Sequence, residues 1–210
     1  MGRPVNEAAK TLGEIVPPDA PQGAGVFCRF KGESYLFALY DERHLGGRGL
    51  VCGRIGGRRA PGESWEQCVE REVLEETGCR AVVESSAQCF YADLEGRLEA
   101  VDVDADPRPA LISRQPAAGA IVPGGIYYNL CFWARLEGEP QPGAELDALA
   151  VADEPLLRRL ASESLPLGAL VDAGAMVIAA RDLDPDMPVI LGRSTAMLLR
   201  ILERDRSERR

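Results

Sequence analysis

Apolar and polar positions divide the chain into a strand-rich part and a helix-rich part. Residues 24–30 (AGVFCRF) and 34–41 (SYLFALYD) are dense in aromatic and branched side chains and flank Lys31-Gly32-Glu33, a spacing that predicts a β-hairpin. Residues 79–92 and 97–103 read as further strands with Glu95-Gly96 as a turn, and 126–136 (IYYNLCFWARL) is the strongest strand signal in the chain. Beyond it the period lengthens. Residues 154–162, 167–181 and 193–204 carry apolar side chains at helical spacing, the last through Ala196, Leu199 and Ile201 with Met197 or Leu202 alongside. Residues 1–23 are small and polar and become rich in Pro and Gly toward their end; they predict a short helix or flexible lead and then a turn, leaving 24–210 as the fold proper. The stretch 104–125 is rich in Pro, Ala and Gly and longer than a simple connection, which predicts a loop or insertion. Two sheets packed with helices follow from this order.

One further helical segment breaks the pattern of apolar inside and polar outside. Ser64 is a fair N-cap with Gln67 three residues on, so a helix should start near Trp65, and Gly78 should stop it. On that helix Glu72, Glu75 and Glu76 share an arc of about 100° with Trp65, Cys68 and Val69. A solvated face does not explain that placement. Carboxylates drawn toward a core repel one another and lose hydration, so the arrangement costs stability unless a cation sits among them. Oxygen-only ligands suit a hard divalent ion, Mg²⁺ or Mn²⁺.

Gly57, Glu63, Arg71-Glu72-Val73, Glu75-Glu76 and Gly78-Cys79 match, in register, the pattern GX5EX7REUXEEXGU, with U an aliphatic residue. The chain therefore resembles the Nudix hydrolases. Cys79 stands where Ile, Leu or Val is usual and packs as a small hydrophobe, and Ile55 precedes Gly56-Gly57 where the family commonly has Pro. The resemblance implies an α/β/α sandwich around a mixed β-sheet, with the helical C-terminal part added to it. It implies that Glu72, Glu75 and Glu76 are metal ligands or their near neighbours, that Glu63 reaches an ion or orients a ligand, and that the Gly57 carbonyl can serve as a ligand. Gly56 and Gly57 would let the backbone turn tightly against metal and phosphates. Arg71 should pair with Glu63 or a helix glutamate and hold it in place.

The implied reaction is Mg²⁺-dependent cleavage of a pyrophosphate linkage in a nucleoside diphosphate joined to another group. A helix glutamate, Glu75 or Glu76, or else Glu145 in the QPGAELDAL segment, would take the proton of the attacking water. The subgroup markers of ADP-ribose, dinucleoside polyphosphate and CoA enzymes are absent around the box, where residues 94–97 read Leu-Glu-Gly-Arg. Length alone favours an ADP-ribose-like compound or nucleotide sugar. A (d)NTP pyrophosphohydrolase is the second enzyme reading, and a Nudix-fold ligand sensor with a regulatory helical C-terminus is the reading from another class. Segment 104–125 would then lie near the substrate. Tyr127, Tyr128, Phe132 and Trp133 alternate along a strand and are expected mostly in the core, and His44 is read as an ordinary loop histidine outside the site.

Composition sets the surroundings. At 210 residues and 46% hydrophobic the chain can bury a substantial core, and a net charge of −9 opposes loose binding to polymeric nucleic acid. A small-molecule nucleotide is the expected partner, and a homodimer is compatible with it. Six cysteines form no CxxC pair and His44 is the lone histidine, so zinc-ligand spacing is absent and the thiols are expected to be reduced core residues of a cytoplasmic protein. The N-terminal run has no apolar stretch of signal length, Asn6 stands where a myristoylation signal wants Ser or Thr, and no segment reaches the apolar length of a membrane span.

Overall fold

The structure is a computed structural model and describes residues 9–41, 49–117 and 125–208. His44 and the middle of the 104–125 stretch lie outside the described residues. Strand β1 (Lys10–Thr11) and the short helix α1 (Leu12–Ile15) come first. The predicted hairpin follows as β2 (Gln22–Phe30) and β3 (Ser34–Asp41), then β4 (Leu50–Gly53) and β5 (Ile55–Arg58) deliver the chain to helix α2 (Trp65–Thr77). Next come β6 (Arg80–Glu84), β7 (Cys89–Ala92), β8 (Leu98–Val101), β9 (Val103–Asp104), β10 (Leu111–Pro116) and the long β11 (Ile126–Glu137). The rest is β12 (Ala148–Ala152), α3 (Glu154–Ser162), β13 (Leu165–Pro166), α4 (Leu167–Asp172), β14 (Met176–Ala179), β15 (Pro188–Leu191) and α5 (Arg193–Glu208).

The centre of the molecule is the parallel pair β2 and β11, in register from Tyr128 opposite Gln22 to Arg135 opposite Arg29. Each of these strands splits its other edge between two partners. Residues 23–26 of β2 pair with β5 and 28–30 with β3, while 126–131 of β11 pair with β10 and 133–137 with β6. The expected two sheets are thus joined: among the described residues thirteen strands form one mixed network, beside a two-stranded β1–β9 ladder. The fork at β2 and β11 holds the two halves together.

Alternation along the central strands sorts the core into two layers. Phe27, Cys131 and Trp133 face a layer completed by Leu156 and Leu160 of α3, Leu167 and Leu170 of α4, and Leu198 and Ile201 of α5. Val26, Leu130 and Phe132 face the other layer, with Cys68, Val69 and Val73 of α2. This is the α/β/α sandwich that the resemblance implies, with a helical C-terminal part. Tyr127, Phe132 and Trp133 are buried as expected, and Tyr128 is part-buried. All six cysteines are buried free thiols, and burial pushes those of Cys28, Cys52 and Cys89 up to about 12. No helix among the described residues is long and apolar enough to cross a membrane.

Two local expectations are corrected. The 167–181 helix ends at Asp172; Gly174 takes φ +104°, and Met176–Ala179 turns back as a strand against β12. The branched Val177 and Ile178 suit a ladder better than a helix. The 104–125 stretch is not all loop, because Leu111–Pro116 forms β10 between β11 and β7. Its strand character comes from partners distant in sequence.

Candidate active site

Helix α2 sets the frame of the site. The Ser64 hydroxyl accepts from the Gln67 amide N–H at 3.1 Å and the Ser64 N–H donates to the Gln67 side chain at 2.8 Å, which closes a capping box. Gly78 ends the helix in the left-handed region at φ 67°. Cys68, Val69, Val73 and Thr77 anchor the buried face, and that leaves the carboxylates at its margin. They are not equivalent. The side chains of Glu63 and Glu72 are 12% and 13% exposed, while that of Glu75 is 59% exposed.

Arg71 stands among these three. Its Nε donates to Glu63 Oε1 at 2.8 Å, one terminal nitrogen donates to Glu72 Oε1 at 2.7 Å and Glu75 Oε2 at 3.1 Å, and the other donates to the Arg58 carbonyl at 2.9 Å and Glu63 Oε2 at 3.1 Å. The planar guanidinium forks to all of them at once, which a point charge could not do. The Arg71 contact holds the Glu63 carboxyl below the usual carboxylate range. The cation among the carboxylates is therefore, in part, the protein's own.

Glu76 is held differently. Its Oε2 accepts from the Gly56 N–H at 2.7 Å, so the fourth carboxylate is tied to β5, where Gly56 and Gly57 pair with β2 as a strand instead of forming the expected tight turn. Burial raises its carboxyl to about 7; the Gly56 bond and the Arg54 charge oppose that rise, and Glu72 and Glu145 add to it. This strand needs its glycines. Gly56 has φ +133°, and a Cβ on Gly57 would lie 2.3 Å from Glu72 Oε2.

Glu145 is exposed, but its loop is fastened to the end of α2. The Gln141 N–H donates to the Thr77 carbonyl and the Gly143 N–H to the Glu76 carbonyl, both at 2.9 Å. Gly143 packs so closely that a Cβ would come within 1.9 Å of the Glu75 carbonyl oxygen. Glu70 is exposed on the far side of the helix, as its position implies.

The structure thus brings Gly57, Glu63, Arg71, Glu72, Glu75 and Glu76 together, with Glu145 near enough to Glu76 for its charge to be felt. Carboxylate and carbonyl oxygens are donors of the kind a hard divalent ion takes. Among the described residues, however, no three acidic, histidine or cysteine side chains converge closely enough to hold a metal as they stand.

Arg54 was not singled out by sequence reasoning. It donates to the Ala24 carbonyl at 3.1 Å and brings positive charge to Glu76. A cation inside the Gly53-Arg54-Ile55-Gly56 run was the signal available. Asn129, Arg193 and Ser194 join it beside Glu76 only through the fold.

No curated protein matches the chain. Solved structures similar to it include a Nudix hydrolase from Nitrosomonas europaea, at 19% identity over 67% of this chain and 76% of that one with a TM-score of 0.46. A Nudix-family hydrolase from Clostridium perfringens is similar at 15% identity, 74% and 94% coverage and a TM-score of 0.46. An ADP-ribose pyrophosphatase from Streptococcus suis is similar at 15% identity, 64% and 75% coverage and a TM-score of 0.42. The family model for the NUDIX domain matches residues 21–164, a span that takes in the whole box, its helix and the central β2–β11 pair. The chain belongs to the Nudix hydrolase family.

Proposed function

We propose that the protein is a divalent-metal-dependent pyrophosphohydrolase acting on a nucleoside diphosphate joined to another group, with ADP-ribose-like compounds and nucleotide sugars favoured. The observation that carries this reading is the gathering of four box carboxylates where β5 leads into α2, three by Arg71 and the fourth by the Gly56 amide. Glu63, Glu72, Glu75, Glu76 and the Gly57 carbonyl are the residues that would hold Mg²⁺ or Mn²⁺. Such an ion, when bound, offsets the diphosphate charge and lowers the pKa of a bound water.

The chain's own residues do the rest. Arg71 orients three carboxylates at once, and the Gly56 N–H fixes the direction of Glu76. A helix glutamate, Glu76 held by the Gly56 N–H or Glu75, would take the proton of an attacking water. Glu145 is exposed beside it and can pass that proton to solvent. Arg54 supplies positive charge where an anionic substrate must approach.

The test is a panel of ADP-ribose, nucleotide sugars, dinucleoside polyphosphates and (d)NTPs, assayed for phosphate-ester products with and without Mg²⁺. Metal-dependent turnover of a diphosphate-linked compound is expected, with Glu76→Gln and Glu75→Gln losing it by orders of magnitude. Turnover restricted to triphosphates would favour nucleotide-pool hydrolysis instead. No turnover of any member, with ligand binding retained, would move the protein to the sensor class.

A further inference from the structure

The seam between β2 and β5 contains a cross-strand pair without side chains. Gly25 lies directly opposite Gly56, so this place in the ladder lacks the side-chain contact that normally stabilises neighbouring strands. β5 is also an edge, since among the described residues its strand partner is β2 alone. Gly56 takes φ +133°, which L side chains rarely adopt, and glycine loses more freedom on ordering than any other residue. The N–H that fixes Glu76 therefore comes from an intrinsically permissive point of an edge strand, and something has to hold it there.

Arg54 occupies the gap. It is the single residue between β4 and β5. Alternation sends Ile55, fully buried, into the core layer that α2 completes, and leaves Arg54 and Gly56 on the opposite face. From there the guanidinium folds back across the seam, and one terminal nitrogen donates to the Ala24 carbonyl at 3.1 Å. The same nitrogen lies 2.1 Å from where a Cβ on Gly25 would stand and 2.4 Å from where one on Gly56 would stand. It takes the space that two opposed side chains would have filled, against the backbone of both strands. A planar guanidinium suits that slot better than a compact ammonium.

The other two nitrogens of Arg54 have no partner among the described residues, and neither is buried away from solvent. Arg54 can therefore meet an anion as well as hold the seam, and the two roles predict different behaviour.

We infer that Arg54 is a positioning residue: it clamps β5 onto β2 at the Gly25–Gly56 pair and so aims the Gly56 N–H at Glu76. Its consequence for turnover rests on the reading that Glu76 works in the hydrolysis, whereas the clamp itself does not.

Amide hydrogen exchange of the metal-free full chain, followed residue by residue by NMR, reads the clamp without any turnover. In Arg54→Lys, which keeps the charge but not the plane, the Gly56 amide should exchange about tenfold faster than in wild type, the worth of one hydrogen bond. The Leu130 and Phe132 amides of β11 should stay as they are. Arg54→Met, which removes the charge too, should loosen Gly56 at least as much; if that variant does not fold, Arg54→Lys decides. On the best substrate of the panel, Arg54→Lys should lower kcat about 10- to 100-fold while KM stays within about threefold of wild type. Unchanged Gly56 exchange in Arg54→Lys overturns the inference. So does a rise in KM at constant kcat, which would make Arg54 a substrate contact alone, and so does faster exchange spread equally over β11, which would show general destabilisation. Faster Gly56 exchange in a chain that hydrolyses no member of the panel would leave the clamp standing and remove the proposed activity.

Discussion

At the scale of single residues the site combines two opposite electrostatic situations. Glu63 is stabilised as an anion by Arg71, so its contribution is present at neutral pH and is lost as pH falls through its lowered pKa. Glu76 is the reverse. With a folded pKa of about 7 against 4.5, it contributes stability below about 4.5 that is lost as pH rises to about 7, up to roughly 3 kcal/mol in metal-free protein. Thermal melts in chelator from pH 4.5 to 8 should show this loss, and Glu76→Gln should abolish much of it and melt higher than wild type at pH 7.5; parallel curves for the two proteins would show that Glu76 is not perturbed. Arg71→Ala leaves Glu63 and Glu72 nearly buried without their cation, at a cost of about 1–3 kcal/mol. Activity should fall about 10- to 100-fold in that variant, as expected for a group that orients others. Arg71→Lys should recover stability better than turnover, because an ammonium cannot fork to three carboxylates; full activity in Arg71→Ala would exclude a positioning role.

At the scale of elements, local chemistry and long-range pairing were unequally legible. The span of α2 could be read from Ser64, Gln67 and Gly78 because caps act within a few residues of themselves. The hairpin at Lys31-Gly32-Glu33 was legible for the same reason. Segment 176–179 was not, since its strand state depends on β12, and Gly174 was the one local warning. The box part of the site lies on one helix and its preceding loop and was visible in the sequence. Arg54, Asn129, Arg193 and Ser194 were not, because sheet register and helix packing alone bring them together. The Gly143 loop offers a test at this scale. Gly143→Ala places a methyl against the Glu75 carbonyl and should push the loop off the end of α2, costing about 1–3 kcal/mol and displacing Glu145. Wild-type melting and pH–rate behaviour in that variant would mean that the loop does not position Glu145.

At the scale of the whole molecule, the matched family span stops at residue 164, yet the core does not. Met197, Leu198, Leu199 and Ile201 are buried with the central strands, and the Arg206–Glu154 and Arg158–Glu203 ion pairs bind α3 to α5. Removing residues 193–210 should therefore give an unstable, aggregating product, measurable as loss of a cooperative melt; a well-folded truncated protein would make α5 an appendage. The β2–β11 pair carries a further consequence, for the order of folding. These strands lie about 100 residues apart in the chain, so the centre of the sheet forms only after a long loop has closed, a pairing whose entropy cost slows folding. Strand β5 has β2 as its sole strand partner among the described residues, and β5 carries Gly56. The frame of β2, β5 and α2 lies within residues 22–77, so the amide that steers Glu76 can be set without waiting for β11.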